Sequence, residues 1–89
     1  MTDKLVLMKE RYPIGKVVRG KVTMLTPFGM FLDLQDSDFI GLIEIIHIPI
    51  NSKGYENYNA FYPPLMSIVE AKVLGYKPEN SQIYLSMKD

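Results

Sequence analysis

The chain has 89 residues, of which 47% are hydrophobic, and its ten basic and ten acidic residues cancel to a formal net charge of zero. A chain of this length forms one small domain with a single core. It contains no cysteine, which excludes disulfide frameworks and thiolate zinc sites. The balanced charge sets it apart from strongly basic nucleic-acid-binding modules, so any such affinity must come from a local patch.

The N-terminal segment, residues 4–12, is predicted to form a short helical lead-in. Its apolar residues Leu5 and Met8 are three positions apart, and charged residues follow Met8. Pro13 and Gly15 end the helix, because proline cannot continue the hydrogen-bond ladder and glycine favours a turn.

We assign residues 1–14 to this lead-in and residues 15–89 to one folded domain. The N-terminus lacks the basic-then-apolar order of a signal peptide. The longest apolar run, residues 42–50, is interrupted by polar residues and proline and is too short to cross a bilayer. These features favour a cytoplasmic protein without a membrane partner.

From residue 16 onward the hydrophobic pattern has a period of two, which is typical of β-strands. The apolar face of the first predicted strand consists of Val18, Gly20, Val22 and Met24. Its polar face consists of Val17, Arg19, Lys21 and Thr23. After a Pro27-Phe28-Gly29 corner, the second predicted strand alternates Met30, Leu32 and Leu34 with Phe31, Asp33 and Gln35.

Three further strands are predicted. The third covers residues 39–46, with Gly41 as a bulge or bend, and an irregular connection follows at residues 49–64. The fourth covers residues 67–76 and directs Val69, Ala71 and Val73 inward. After a turn at residues 77–81, the fifth alternates Ile83, Leu85 and Met87 with polar residues and Tyr84. This order predicts an all-β fold, a five-stranded Greek-key OB-fold barrel that leaves few exposed sheet edges.

Five segments, in the same order, resemble the S1 RNA-binding domain family: residues 12–22, 27–32, 40–43, 69–74 and 83–88. The resemblance implies an OB-fold module that binds single-stranded RNA. Two aromatic residues of the family's binding surface are matched by Phe28 and Phe31. The positions of its histidine in strand three, its acid at the end of strand four and its basic residue at the start of strand five are taken by Glu44, Lys77 and Gln82. The resemblance is therefore to a member with a degenerate site.

Phe28 and Phe31 are the main candidates for stacking on bases, with Tyr84 and Tyr62 as additional ones. Phe31 is an aromatic residue on the polar side of its strand. The alternative is that Phe28 plugs the end of the barrel and Phe31 packs against the long connection.

The candidate phosphate-binding residues are Arg19, Lys21, Lys72 and Lys77. Arg19, Lys21 and Lys72 are predicted to form a basic strip on strands one and four, suited to a phosphate backbone. The alternative is an ordinary solvated face on which these cations pair with Asp33 or Glu70.

A protein-interaction or self-association module, with RNA binding lost, is the competing hypothesis. It rests on the balanced charge and on a set of apolar and aromatic residues: Leu42, Ile46, Tyr55, Tyr58, Phe61 and Tyr62. The aromatic residues of the long connection alternatively close one end of the barrel. A third hypothesis is an accessory domain of a larger enzyme.

No catalytic, metal or cofactor site is predicted. Asp33, Asp36 and Asp38 lack the spacing of a calcium loop, and His47 has no second histidine or cysteine with which to share a metal. No nucleophile elbow or phosphate-binding glycine loop occurs. We therefore expect a non-catalytic protein of translation or RNA metabolism that binds single-stranded RNA weakly and with low sequence specificity.

Overall fold

The computed structural model describes residues 3–49 and 62–88. Within them the chain forms a helix and five strands: α1 (Lys4–Arg11), β1 (Val17–Thr26), β2 (Gly29–Asp33), β3 (Ile40–Glu44), β4 (Ile68–Lys77) and β5 (Gln82–Ser86). None of the helices in these two ranges has the length and apolar character needed to span a bilayer.

The five strands close into a barrel in the order β1-β2-β3-β5-β4, with β4 returning to pair with β1. β3 and β5 run parallel, and the other neighbours are antiparallel. Closure pairs both edges of every strand, which removes the exposed edges that a chain of this size would otherwise present. The predicted five-stranded OB-fold barrel is confirmed.

The barrel interior is filled by alternate residues of the five strands. The fully buried strand residues include Val22, Leu32, Ile43, Ile83 and Leu85. Strand β4 directs Val69, Ala71 and Val73 inward, as the period-two pattern predicts.

Of the two alternatives predicted for Gly41, a bulge or a bend, the structure excludes the bulge. The registers of β3 with β2 and with β5 run through Gly41 without a shift. A Cβ atom at Gly41 would lie 2.8 Å from Leu85 Cδ1. Glycine at this position therefore makes room for a core side chain, and the strand needs no irregularity there.

The register of β1 with β2 instead shifts between Val22 and Met24. A bulge adds one residue to a strand and reverses the alternation beyond it. Met24, predicted on the apolar inner face, therefore points outward and is 55% exposed. A second shift lies in β4, between Val73 and Gly75.

The third strand ends at Glu44, two residues earlier than predicted, and a 3-10 helix follows at Ile45–His47. The turn between β4 and β5 lies at the predicted place and contains a 3-10 helix at Pro78–Asn80. Tyr62, where the described chain resumes, is buried with 5% exposure.

Helix α1 begins at the N-cap residue Asp3, whose side chain accepts a hydrogen bond from the Leu5 amide at 3.0 Å. Met8 of this helix is completely buried and belongs to the barrel core. The predicted helical lead-in is thus confirmed, and it packs against the barrel as part of the fold.

A polar cluster joins the end of α1 to the β2–β3 loop. The Arg11 guanidinium donates to Asp36 Oδ1 and Asp38 Oδ2, each at 2.9 Å. The Tyr12 hydroxyl donates to Asp36 Oδ2 at 2.7 Å. The Arg11 guanidinium also lies 5.3 Å from the centre of the Phe39 ring, within cation–π range.

These contacts shift the pKa values of two members of the cluster. Burial acts to raise the pKa of Asp36, but hydrogen bonds from the Asp38 amide, Tyr12 and Arg11 outweigh it and lower that pKa. Burial, followed by the hydrogen bond to Asp36, raises the pKa of the Tyr12 hydroxyl. The cluster therefore favours a charged Asp36 and a neutral Tyr12.

Candidate nucleic-acid interface

The turn between β1 and β2 carries the most exposed of the large hydrophobic side chains in the described part of the chain, Phe28, at 79% exposure. Thr26 Oγ1 accepts hydrogen bonds from the amides of Phe28 and Gly29 at 3.2 and 3.1 Å, and donates to the Gly29 carbonyl at 2.8 Å. The Phe28 carbonyl accepts from the Ile45 amide at 2.7 Å. The turn backbone is therefore fixed while the ring projects into solvent, so the alternative in which Phe28 plugs the barrel end is wrong.

Gly29 brings this turn directly against the end of β3. A Cβ atom at Gly29 would overlap the Ile43 carbonyl oxygen and lie 2.9 Å from the Glu44 Cα. Only glycine permits so close an approach of two backbones. As a result Glu44 lies next to the Phe28 turn.

A shallow groove of about 390 Å³ lies beside this turn. Its lining includes Pro27, Phe28, Phe31, Leu42 and Glu44. The volume falls within the range of about 300–1,000 Å³ that is usual for small-ligand sites. The groove thus combines two aromatic rings with a single carboxylate.

Phe31 belongs to a row of outward side chains that crosses four strands. Met24 lies opposite Phe31, Phe31 opposite Leu42, and Leu42 opposite Tyr84. Phe31, Leu42 and Tyr84 are half-buried. This apolar row, defined as Met24, Phe31, Leu42 and Tyr84, forms a continuous hydrophobic strip on the outer face of the barrel.

Met24 was not among the residues predicted for the site, although the sequence holds a signal for it. The two-residue turn Pro27-Phe28 pairs Thr26 with Gly29, and counting back along both strands pairs Met24 with Phe31. Directly opposed residues of an antiparallel pair share one face of the sheet. The hairpin register therefore predicts an outward Met24, whereas the alternation of β1 alone does not.

Lys21 and Lys77 stand at the two ends of the neighbouring row. Lys21 is opposite Asp33, and Lys77 is opposite Gln82, which in turn is opposite Ile40. Residues two apart on a strand are about 7 Å apart, so this row runs alongside the apolar row. Both cations consequently flank the apolar row.

The structure places Arg19 and Lys72 farther from the rings. Arg19 is opposite Glu70, and it lines a second cavity of about 360 Å³ together with Lys21 and Asp33. Lys72 is opposite Val17 and lines another, smaller cavity with Glu70. Arg19 and Lys21 line one cavity together, and Lys72 lies diagonally across from Arg19, next to Glu70 on β4.

The cations of these rows are not held by carboxylates. Within residues 3–49 and 62–88, the ion pairs are those that join Arg11 to Asp36 and Asp38. Four cationic side chains are therefore available to an external anion: Arg19, Lys21, Lys72 and Lys77.

The residues considered for a protein-binding face are distributed differently. Tyr62 is 5% exposed, so its prediction as a stacking or docking side chain is wrong: the ring is part of the barrel core. Ile46 is 64% exposed, and Leu42 lines the aromatic groove. Tyr55, Tyr58 and Phe61 lie outside the described residues.

Two aspartates of the β2–β3 loop, Asp36 and Asp38, are bound by a side chain of the same protein. Asp36 and Asp38 accept hydrogen bonds from Arg11. Among the residues that the structure describes, no three histidine, cysteine, aspartate or glutamate side chains are grouped as a metal site requires. These aspartates belong to the cluster that anchors α1.

Comparisons with known proteins find relatives among ribosomal proteins. The chain is 33% identical over 81 residues to the small ribosomal subunit protein bS1 of Chlamydia muridarum, a match that covers 88% of the chain and 13% of that protein. It is 34% identical over 84 residues to the protein bS1 of Rickettsia typhi, covering 91% of the chain and 14% of that protein. The chain thus spans about one seventh of the length of these relatives.

Solved structures give the same architecture. The solution structure of GSP13 from Bacillus subtilis matches with a TM-score of 0.70 and 30% identity, over 86% of this chain and 56% of that one. Mycoplasma genitalium RNase R in complex with ribose methylated single-stranded RNA matches with a TM-score of 0.66 and 24% identity, over 92% of this chain and 14% of that one. The second likeness concerns the fold alone.

The sequence profile of the S1 RNA binding domain matches residues 11–88, which include all five strands and the last residue of α1. The predicted resemblance is therefore confirmed: this chain belongs to the S1 RNA binding domain family.

Proposed function

We propose that the chain binds single-stranded RNA without catalysing a reaction, on the face formed by the Phe28 turn and the apolar row. The observation that carries this proposal is the 79% exposed Phe28 ring on a hydrogen-bonded turn, next to the half-buried Phe31. The Phe28 ring is continuous with the other apolar residues of the groove, and contiguous exposed apolar surface often marks a binding site. A base stacked on such a ring contributes about 1–3 kcal/mol and is accepted largely regardless of its identity.

Phosphate contacts would come from the flanking cations. Lys21 and Lys77 border the apolar row, and Arg19 continues the line from Lys21. Lys72 lies beyond Glu70 and would be reached only by a longer strand. Because so few cations face the strand and the net charge is zero, the affinity is expected to be modest and to depend weakly on sequence.

The proposal extends to the setting of the protein. Its relatives include ribosomal proteins, which supports a place in translation or RNA metabolism and a cytoplasmic location. The burial of Tyr62 removes one residue from the competing protein-docking hypothesis, which the described residues do not favour.

A titration of a short, unstructured RNA at low and moderate salt tests the proposal. We expect weaker binding at the higher salt and a loss of affinity of about fivefold or more for Phe31→Ala, the lower end of a stacking contribution. Val6→Ala, which truncates a partly exposed side chain on α1 at the other end of the barrel, is the matched control and should bind like the parent protein. Unchanged affinity in a folded Phe31→Ala protein would remove the stacking role.

A further inference from the structure

We propose that Glu44 selects the base that stacks on Phe28, and that it favours guanine and disfavours uracil. The inference rests on the proposed RNA binding and refines it: one position of the strand is selective, while the rest is held without regard to sequence. What carries it is the placement of one unpartnered carboxylate inside an otherwise apolar aromatic groove.

The position of Glu44 is fixed by its neighbours. It ends β3 opposite Gly29, whose missing side chain leaves the Glu44 backbone against the Phe28 turn. The hydrogen bond from the Ile45 amide to the Phe28 carbonyl, 2.7 Å long, ties the residue after Glu44 to that turn. The backbone segments that carry the carboxylate and the ring are therefore held next to each other.

The Glu44 side chain is also available. It is exposed, it lines the groove with Phe28 and Phe31, and within residues 3–49 and 62–88 it takes part in no hydrogen bond or ion pair. An unpaired carboxylate beside a bound strand repels the phosphates, and it becomes favourable when a base supplies hydrogen-bond donors to it.

The chemistry of the bases then decides which ligand fits. A carboxylate offers two acceptor oxygens and no donor. Guanine presents two adjacent donors on its Watson–Crick edge, N1–H and the 2-amino group, and so matches both oxygens. Adenine and cytosine present one amino group, and uracil presents a single N–H between two carbonyl oxygens that the carboxylate repels. Since hydrogen bonds to an ionised group are roughly twice as strong as neutral ones, guanine should bind best.

The experiment compares RNA oligonucleotides of about nine nucleotides, within the site size of one OB fold, that are all uridine except for one central base. The central base is guanosine, inosine, adenosine or uridine. Inosine retains the purine ring and N1–H of guanosine but lacks the 2-amino group, so it separates stacking from pairing with the carboxylate. Titrations use the full chain and the variants Glu44→Gln and Glu10→Gln; the latter removes one exposed charge from α1 as a matched control.

We expect the parent protein and Glu10→Gln to bind the guanosine oligonucleotide about fivefold more tightly than the inosine or uridine one, the lower end of the discrimination given by a two-point base contact. In Glu44→Gln the guanosine advantage should shrink toward onefold, while affinity for the uridine oligonucleotide rises.

Equal affinity of the parent protein for all four oligonucleotides would overturn the inference and leave RNA binding intact. A Glu44→Gln protein that gains affinity for all of them by the same factor would also overturn it, because the carboxylate would then act by repulsion alone. Failure of every oligonucleotide to bind would instead refute the proposed function.

Discussion

The two ends of the barrel differ in how their polar and aromatic side chains are bound. At the end where α1 meets the β2–β3 loop, Asp36 receives hydrogen bonds from Arg11, Tyr12 and the Asp38 amide. At the other end, Phe28 is 79% exposed and the Glu44 side chain lies in the groove without a partner in the described part of the chain. One end satisfies its polar groups internally, and the other leaves aromatic and acidic groups open to a ligand.

We therefore expect the α1 end to contribute mainly to the stability of the fold and the Phe28 end mainly to binding. Both ends use aromatic and charged residues, so composition alone does not distinguish them. At the α1 end the Tyr12 and Phe39 rings meet edge to face at 6.3 Å between centroids, inside the core. At the other end only the backbone of the Phe28 turn is held, by Thr26 and Ile45. Substitutions at the two ends should therefore have separate consequences.

The largest effect is expected from Met8→Ala. Met8 is a residue of α1 whose side chain is completely buried in the barrel core. Its truncation leaves a cavity and should lower the free energy of unfolding by about 2–5 kcal/mol. RNA affinity of the protein that remains folded should not change, because Met8 is remote from the groove. Urea unfolding followed by circular dichroism measures the first quantity, and RNA titration at low temperature measures the second. A loss of affinity in the folded fraction would show that the two ends are coupled.

A smaller loss is expected from Tyr12→Phe. The change removes the hydroxyl that donates to Asp36 at 2.7 Å and keeps the ring packed on Phe39. A hydrogen bond to a charged acceptor contributes about 1.5–3 kcal/mol, which sets the expected decrease in the free energy of unfolding. Unchanged stability would mean that water replaces the hydroxyl at Asp36 without cost.

The α1 end should also give the protein a dependence on acid. The folded state lowers the pKa of Asp36, so the unfolded state takes up this proton first as the pH falls. The stability contributed by Asp36 is present above its unfolded pKa of about 3.9 and is lost as the pH falls through the lower, folded pKa. Urea midpoints at pH 7 and pH 3 measure the loss, and Asp36→Asn should show a weaker dependence than the parent protein. An equal dependence in Asp36→Asn would assign the acid sensitivity to other carboxyl groups.

The smallest effect is expected from the single cations that flank the apolar row. Lys21→Gln and Lys77→Gln should each reduce the slope of log affinity against log salt by about 0.7, the contribution of one phosphate contact on a single strand. Lys9→Gln, on the exposed side of α1, serves as the control and should leave the slope unchanged. Equal slopes in all three variants would place the phosphate path elsewhere on the barrel.

The barrel was predictable because its core follows a local rule. Alternation along each strand predicts the inward positions of Val22, Leu32 and Val73, and a chain this small has few other ways to bury them. The bulge between Val22 and Met24 was missed because it depends on pairing with β2, which alternation within one strand does not report.

The candidate site was predictable only in part, for the same reason. Phe28 and Phe31 lie three positions apart in one short segment and follow from the family resemblance. Outside the site, the hydrogen bond that anchors α1 joins Arg11 to Asp36, 25 positions later in the sequence. No local sequence pattern predicts such a contact. Tyr62 was misassigned because burial of an aromatic residue in a connection depends on the three-dimensional packing around it.

We expect the Phe28 ring to bind RNA and to contribute little to the stability of the barrel. The substitution Phe28→Ala tests both expectations when affinity for a short single-stranded RNA and the free energy of unfolding are measured on the same preparation. We expect affinity to fall by about fivefold or more, the effect of losing one stacked base, and stability to change by no more than about 0.5 kcal/mol, as for other exposed side chains. Retained affinity, or a loss of stability comparable to that of Met8→Ala, would contradict the account.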